Sequence, residues 1–198
     1  MTIKKINNAI WNRIYTAFVK SVFHKYSIRY GKNLFVMNDL PILHLSQQHG
    51  NIEIGDNFTI NSSNNETSWY SKSAITVKHG ASLFIGNNVG INGALIYCSN
   101  EVTIGDFSII GGATRVMDTN FHSVDYKVRR DKKRFCECVS KPIHIGEDVF
   151  IGTNCIICKG VTIGDRSVIA AGSVVVKDIP ADCIAGGNPA KIIKHINQ

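Results

Sequence analysis

Proton transfer near neutral pH calls on histidine. The chain offers seven: His24, His44, His49, His79, His122, His144 and His195. His144 directly precedes Ile145 in a regular repeat and is predicted to be an outward-facing strand residue. His79 precedes Gly80 in what reads as a turn. His122 stands apart, in MDTNFHSVD, with Asp118 before it and Asp125 after it. A base usually needs an orienting partner, so these two acids are the local candidates. A backbone carbonyl is the alternative, and both acids also suit plain loop turns. Asn92, in GINGALI, carries an amide that can donate to an oxyanion or accept from a hydroxyl. An Asn-Gly pair is also ordinary corner chemistry.

Six cysteines, at 98, 136, 138, 155, 158 and 183, read as small core residues or free thiols. Cys136-x-Cys138 and Cys155-x2-Cys158 imitate a zinc pattern. Cys155 and Cys158 fall on regular repeat positions, however, so no metal is expected. The net charge of +7 favours anionic partners such as phosphates, phospholipid or acidic glycans. The basic residues are scattered and form no nucleic-acid module, so nucleic acid is not an expected partner.

These groups need a scaffold, and a six-residue beat supplies it. Ile145, Ile151, Ile157, Ile163, Ile169 and Val175 follow one another at that interval. The residue after each is mostly small. Four places on come Val149, Cys155, Val161, Ser167, Ser173 and Ile179. Neither a 3.6-residue helix nor a two-residue strand has this period. A triangular coil does, with three short strands and three tight corners per turn. The expected fold is therefore an all-β solenoid over 31–190. The phase is less regular earlier, at Ile54, Ile60, Ile85, Ile91, Ile104 and Ile110. The intervals imply excursions at about 61–84 and 112–142, the second being the long loop that carries His122. Loops held on rigid scaffolds are where function concentrates.

Residues 1–30 differ. Ile3, Ile6, Ile10, Ile14, Phe18 and Val22 recur at helical spacing among Lys4, Lys5, Arg13, Lys20 and Lys25. This stripe is expected to cap the open end of the coil. A peripheral membrane contact is the second reading, compatible with the first. No run of about 18 apolar residues occurs and no signal-peptide pattern is present, so the expected location is cytoplasmic, with the inner membrane face as an option. Residues 191–198 read as a C-terminal tail.

The stretch IGEDVFIGTNCIICKGVTIGDRSVIAAGSVVVKDIPADCIAGGNPAKII, residues 145–193, resembles the hexapeptide-repeat acyltransferases. Within them it is most similar to the branch holding maltose, galactoside and nodulation-factor O-acetyltransferases. The resemblance is strong from about 85 to 194 and weak before 50. It implies a left-handed parallel β-helix, whereas the general rule for parallel crossovers would give the right-handed form. It also implies acetyl-coenzyme A as donor and a homotrimer with sites between subunits. His122 matches the general base of the family's catalytic loop. Asn92, 30 residues earlier, matches an asparagine that contacts the acceptor and the reacting centre. Gly152, Thr153, Ala171, Gly172, Lys177 and Lys194 match the coenzyme A groove. Phe150 takes a position where relatives often carry tryptophan, and is expected to be an aromatic wall beside the catalytic loop.

The resemblance leads to O-acetylation of a sugar or surface-polysaccharide precursor by direct transfer. The alternatives are N-acetylation of a nucleotide-linked amino sugar, acetylation of an antibiotic or serine, or a β-helix without catalysis. The basic segment 128–141 reads either as an attractant for an anionic acceptor or as a solvated loop.

Overall fold

The computed structural model describes residues 3–63, 71–134 and 137–196, with side chains from residue 8 onward. Three parallel sheets form the sides of a prism, here faces A, B and C, visited in that order on every turn. Face A stacks Arg29–Tyr30, Ile52–Ile54, Ser82–Ile85, Glu101–Ile104, Ile143–Ile145 and Thr162–Ile163. Face B stacks Phe35–Met37, Thr59–Asn61, Gly90–Asn92, Ile109–Ile110, Phe150–Ile151, Val168–Ile169 and Cys183–Gly187. Face C stacks Ile42–Leu45, Ala74–Val77, Leu95–Cys98, Arg115–Met117, Ile156–Cys158 and Val174–Val175. The winding makes a left-handed parallel β-helix.

The core is three columns of aliphatic side chains. On face B, Val36, Ile60, Ile91, Ile110, Ile151 and Ile169 lie in register, each 0% exposed. Faces A and C carry Ile54 through Ile163 and Ile75 through Val175 in the same way. All six members of the beat from Ile145 are buried. Stacked coils lie about 4.8 Å apart, so identical residues in one column meet at van der Waals distance.

Corners explain the small residues. A Cβ on Gly105 would sit 2.6 Å from the Gly146 carbonyl carbon of the next coil, which leaves room for hydrogen alone. The A–B corners need a positive φ once per coil. Asn33, Asn57, Asn88 and Asp148 supply it, but so do Phe107 and Arg166. Buried hydroxyls close other corners: Thr114 Oγ1 donates to Gly152 O (2.8 Å) and accepts from Cys155 N (3.1 Å).

Three boundaries differ from expectation. Ala74–Val77 and Ser82–Ile85 belong to the ladders, so the first excursion returns before 74 and leaves from the B–C corner. Arg115–Met117 is likewise on face C, and the second excursion begins only at Asp118, on the C–A corner. The region after 190 is no free tail: Ala190–His195 pairs antiparallel with Cys183–Gly187 and closes face B.

The helix Ile3–Lys25 covers the first coil, but with a different face from the stripe that suggested it. Thr16, Val19 and Phe23 are buried, and Thr16 Oγ1 accepts from Val36 N (2.9 Å). Ile10, Ile14 and Phe18 point away and are 51%, 48% and 54% exposed. At 100° per residue the two sets lie on opposite sides of the helix. Ile3 and Ile6 of the predicted stripe fall outside the residues whose side chains are described.

Candidate active site

The loop bearing His122 leaves the prism through a closed neck. Thr119 bridges Ser140, and Lys141 N donates to Asp118 O (2.9 Å). Asp118 is fully buried at this neck. Its two carboxylate oxygens accept from Ser99 N (2.7 Å) and Asn100 N (2.6 Å), which sit on the coil below. Burial raises its pKa, while the backbone N–H groups pull the other way. Asp118 therefore anchors the loop's base to the corner.

Beyond the neck, Phe121 places its ring edge-on against Tyr97 of face C, 4.7 Å between centroids. His122 follows at once and is exposed, with its backbone N–H donating to Asn120 O (2.7 Å). Asp125 caps a short helix, Tyr126–Arg130, by accepting from Lys127 N (2.8 Å). Arg129 Nη1 donates to the carbonyls of Ser123 and Val124, both at 2.7 Å, and so braces the segment just after His122. The sequence showed Arg129 only as one charge in a basic run, because its backbone acceptors carry no side-chain signature.

Asn92 ends its face-B strand at the B–C corner, half-buried. Its Oδ1 accepts from Asn61 Nδ2 (3.2 Å). Face C, entered at Leu95, separates this corner from Asp118. Its strand Leu95–Cys98 is four residues long, or about 13 Å at ~3.3 Å per residue. His122 and Asn92 thus belong to loops and corners at opposite edges of one face.

The donor candidates split as well. Gly152-Thr153 and Ala171-Gly172 stack on successive coils at the B–C corner. Gly172 N donates to Thr153 O (2.8 Å), and a Cβ on Gly152 would lie 2.7 Å from Ala171 N. Lys177 follows face C and lies on the C–A corner instead. Lys194 pairs with Ile184, which places it toward the A–B end of its strand. Lys191 pairs with Gly186, where an added Cβ would meet Ala170 and Ser173, next to the glycine corner. It stands in the NPAKII segment and could have been found there by assuming a hairpin rather than a tail. Phe150 is 48% exposed on face B, between Ile109 and Val168, and not on the edge that carries the loop of its own chain.

Face C also holds a hollow of about 650 Å³, lined by Tyr26, His44, Thr76, Lys78, His79 and Tyr97 among others. His44, Thr76 and Tyr97 are in register on adjacent strands and all face outward. The hollow shares Tyr97 with the His122 loop, through the Phe121 ring. Its histidines had no motif around them in sequence, since only strand pairing brings 44, 76 and 97 together.

Cys155 is buried just before the strand Ile156–Cys158 and contacts Ala170 O through its Sγ (3.2 Å), while Cys158 points outward from that strand. The two cannot share an ion. Cys136 lies outside the described residues. Among the described residues no three His, Cys, Asp or Glu side chains gather as a metal site would require.

Comparison with known proteins matches residues 142–177 to the hexapeptide repeat of succinyl-transferase. The chain is 38% identical over 134 residues to a galactoside O-acetyltransferase of Escherichia coli, an overlap of 67% of this chain and 63% of that one. A solved galactoside acetyltransferase in complex with coenzyme A shares 31% identity and a TM-score of 0.55, over 85% of this chain and 65% of that one. A hexapeptide-repeat-containing acetyltransferase of Vibrio cholerae shares 30% identity and a TM-score of 0.53, over 86% of this chain and 74% of that one. This chain therefore spans somewhat under two thirds of the galactoside enzymes it matches.

Proposed function

We propose that this chain, which belongs to the hexapeptide-repeat acetyltransferase family, moves an acetyl group from acetyl-coenzyme A to a hydroxyl of a sugar or glycan precursor. The 38% identity to a galactoside O-acetyltransferase carries this reading. The exposed histidine on a braced loop supports it, as does the Gly152-Thr153 and Ala171-Gly172 corner, where Thr153, Ala171 and Gly172 are exposed on successive coils.

In the proposed reaction His122 takes the proton of the acceptor hydroxyl. The alkoxide oxygen bonds to the thioester carbonyl carbon, and the carbonyl oxygen becomes an oxyanion. The Asn92 amide stabilises that charge. The tetrahedral species collapses, the carbon–sulfur bond breaks, and the coenzyme A thiolate leaves with the proton from His122. No covalent enzyme intermediate forms. Lys177, Lys191 and Lys194 are candidates to meet the donor's phosphates as point charges. Because His122 and Asn92 lie at opposite edges of face C, we infer that a complete site takes His122 from one copy and Asn92 from another, in a homotrimer. The apolar outward column of Ile109 and Phe150 supports such an assembly. Use of acetyl-coenzyme A implies action on the cytoplasmic side. The exposed stripe of the N-terminal helix suits an anionic membrane surface there.

The test is a panel of methyl glycosides, one amino sugar among them, with acetyl-coenzyme A and release of free thiol as readout. Transfer to a hydroxyl is expected. Replacing His122 by Ala is expected to lower turnover by about 10²–10⁴-fold while coenzyme A still binds by calorimetry. Transfer only to the amine overturns the O-acetyl reading, and near-normal turnover of the His122→Ala variant overturns the base assignment.

A further inference from the structure

Two ladders of side-chain amides climb the prism. At the A–B corner, Asn33 Nδ2 donates to Asn57 Oδ1 (3.0 Å) and Asn57 Nδ2 to Asn88 Oδ1 (2.8 Å). At the B–C corner, Asn38 Nδ2 donates to Asn61 Oδ1 (2.6 Å) and Asn61 Nδ2 to Asn92 Oδ1 (3.2 Å). The second ladder starts at the N-terminal helix, where Asn12 Oδ1 accepts from Asn38 N (2.9 Å). It stops at Asn92 for a reason visible in the register. Ile91 faces Ile110, so the next rung above Asn92 is Gly111, which has no side chain.

An unrestrained asparagine presents either end of its amide, because the two ends have the same shape and opposite polarity. The ladder couples that choice from coil to coil, so Asn92 turns only if Asn61 turns with it. All four bonds run the same way, from Nδ2 on the earlier coil to Oδ1 on the later one, and Asn57 and Asn61 each use both ends. Among the described residues Asn92 Nδ2 has no acceptor, and it is the end the ladder leaves over. We propose that Asn61 is a positioning residue: it holds Asn92 by its Oδ1, so that Asn92 serves the reaction as a hydrogen-bond donor and not as an acceptor. This rests on the reading of Asn92 as a contact of the reacting carbonyl. It decides between the two roles an amide could play there. A donor fixed before the substrate arrives needs no reorientation as negative charge develops. The line of contacts also links the N-terminal helix to the site through Asn12, Asn38 and Asn61.

The two ladders make a matched experiment. An aspartate in place of Asn61 has nearly the same shape but only accepts, so Asn92 must turn its Nδ2 toward it and present oxygen to the substrate. Asn57→Asp makes the same chemical change in the ladder that serves no site. kcat and KM are measured with acetyl-coenzyme A and the best methyl glycoside of the panel, and melting is followed by circular dichroism. Asn61→Asp is expected to lower kcat by about ten- to a hundredfold, with KM for acetyl-coenzyme A little changed. Asn57→Asp is expected to alter melting alone. Equal effects of the two on kcat, or none from Asn61→Asp, overturn the proposal. If Asn61→Asp does not fold, Asn61→Ala against Asn57→Ala makes the same comparison, with loss of orientation in place of inversion. Asn92→Ala separates the two levels. If it keeps full kcat, the reading of Asn92 fails and this proposal falls with it. If it loses kcat while Asn61→Asp does not, only the positioning role fails.

Discussion

At the scale of the residue, Asp118 shows how a side chain's position changes its meaning. Next to a candidate base it invites the role of orienting acid, yet its oxygens are taken by two backbone N–H groups of the neighbouring coil. Its charge is felt by Cys98, where burial first and Asp118 second push the thiol from its ordinary 9.0 up to about 12. A thiol held neutral does not react as a nucleophile. In the folded protein at pH 8, Cys98 is expected to resist iodoacetamide while the exposed Cys138 is alkylated, as read by peptide mass spectrometry. Equal labelling of both would refute the assignment. The sign for stability follows: the folded thiol binds its proton more tightly, so this contribution is complete below pH 9.0 and is lost as pH rises toward about 12.

At the scale of the element, the N-terminal helix has two apolar faces with separate destinations. Thr16, Val19 and Phe23 pack on the first coil. Ile10, Trp11, Ile14 and Phe18, each about half exposed, do not. The helix has five Lys and Arg and no acidic residue, which complements an anionic lipid headgroup layer. Co-sedimentation with phosphatidylglycerol vesicles is expected to capture the protein, and neutral vesicles to capture much less. The double change Ile14→Ser and Phe18→Ser is expected to weaken capture about tenfold or more, since a buried apolar side chain of this size is worth about 1.5–3 kcal/mol. Melting should hold, because neither side chain packs on the coil. Unchanged capture by the double variant would assign the stripe to another partner. His122 sits on another kind of element, a loop made rigid at its neck by Asp118 and after the histidine by Arg129.

At the scale of the whole molecule, the proposed site is divided between copies of the chain. If His122 and Asn92 come from different copies, two inactive variants can complement each other. Mixing His122→Ala and Asn92→Ala protein, unfolding and refolding together, is expected to restore activity at up to about one quarter of the sites in a randomly assembled trimer. Size-exclusion chromatography with light scattering checks the assembly itself. No recovery in a mixed trimer would mean that one chain supplies both groups.

Much of this was legible in the order of the residues. The beat from Ile145 to Val175 determined the coil, because a column of stacked side chains demands the same residue type at the same interval, and every predicted member is buried. His122 and Asn92, the proposed base and oxyanion donor, were chosen from sequence because each stands where the beat breaks. What the chain's order could not contain is proximity across coils. Asn61 is 31 residues from Asn92, His44 is 53 from Tyr97, and Asp118 is 18 from Asn100; each pair is close only because one coil lies on another. The helix makes the same point in reverse, for its most regular apolar stripe faces away from the core. Periodicity reports that a face is apolar, and only packing decides what covers it. Local repeats are short-range and are written along the chain, whereas a site is assembled at right angles to it, by parallel stacking that sequence separation does not reveal.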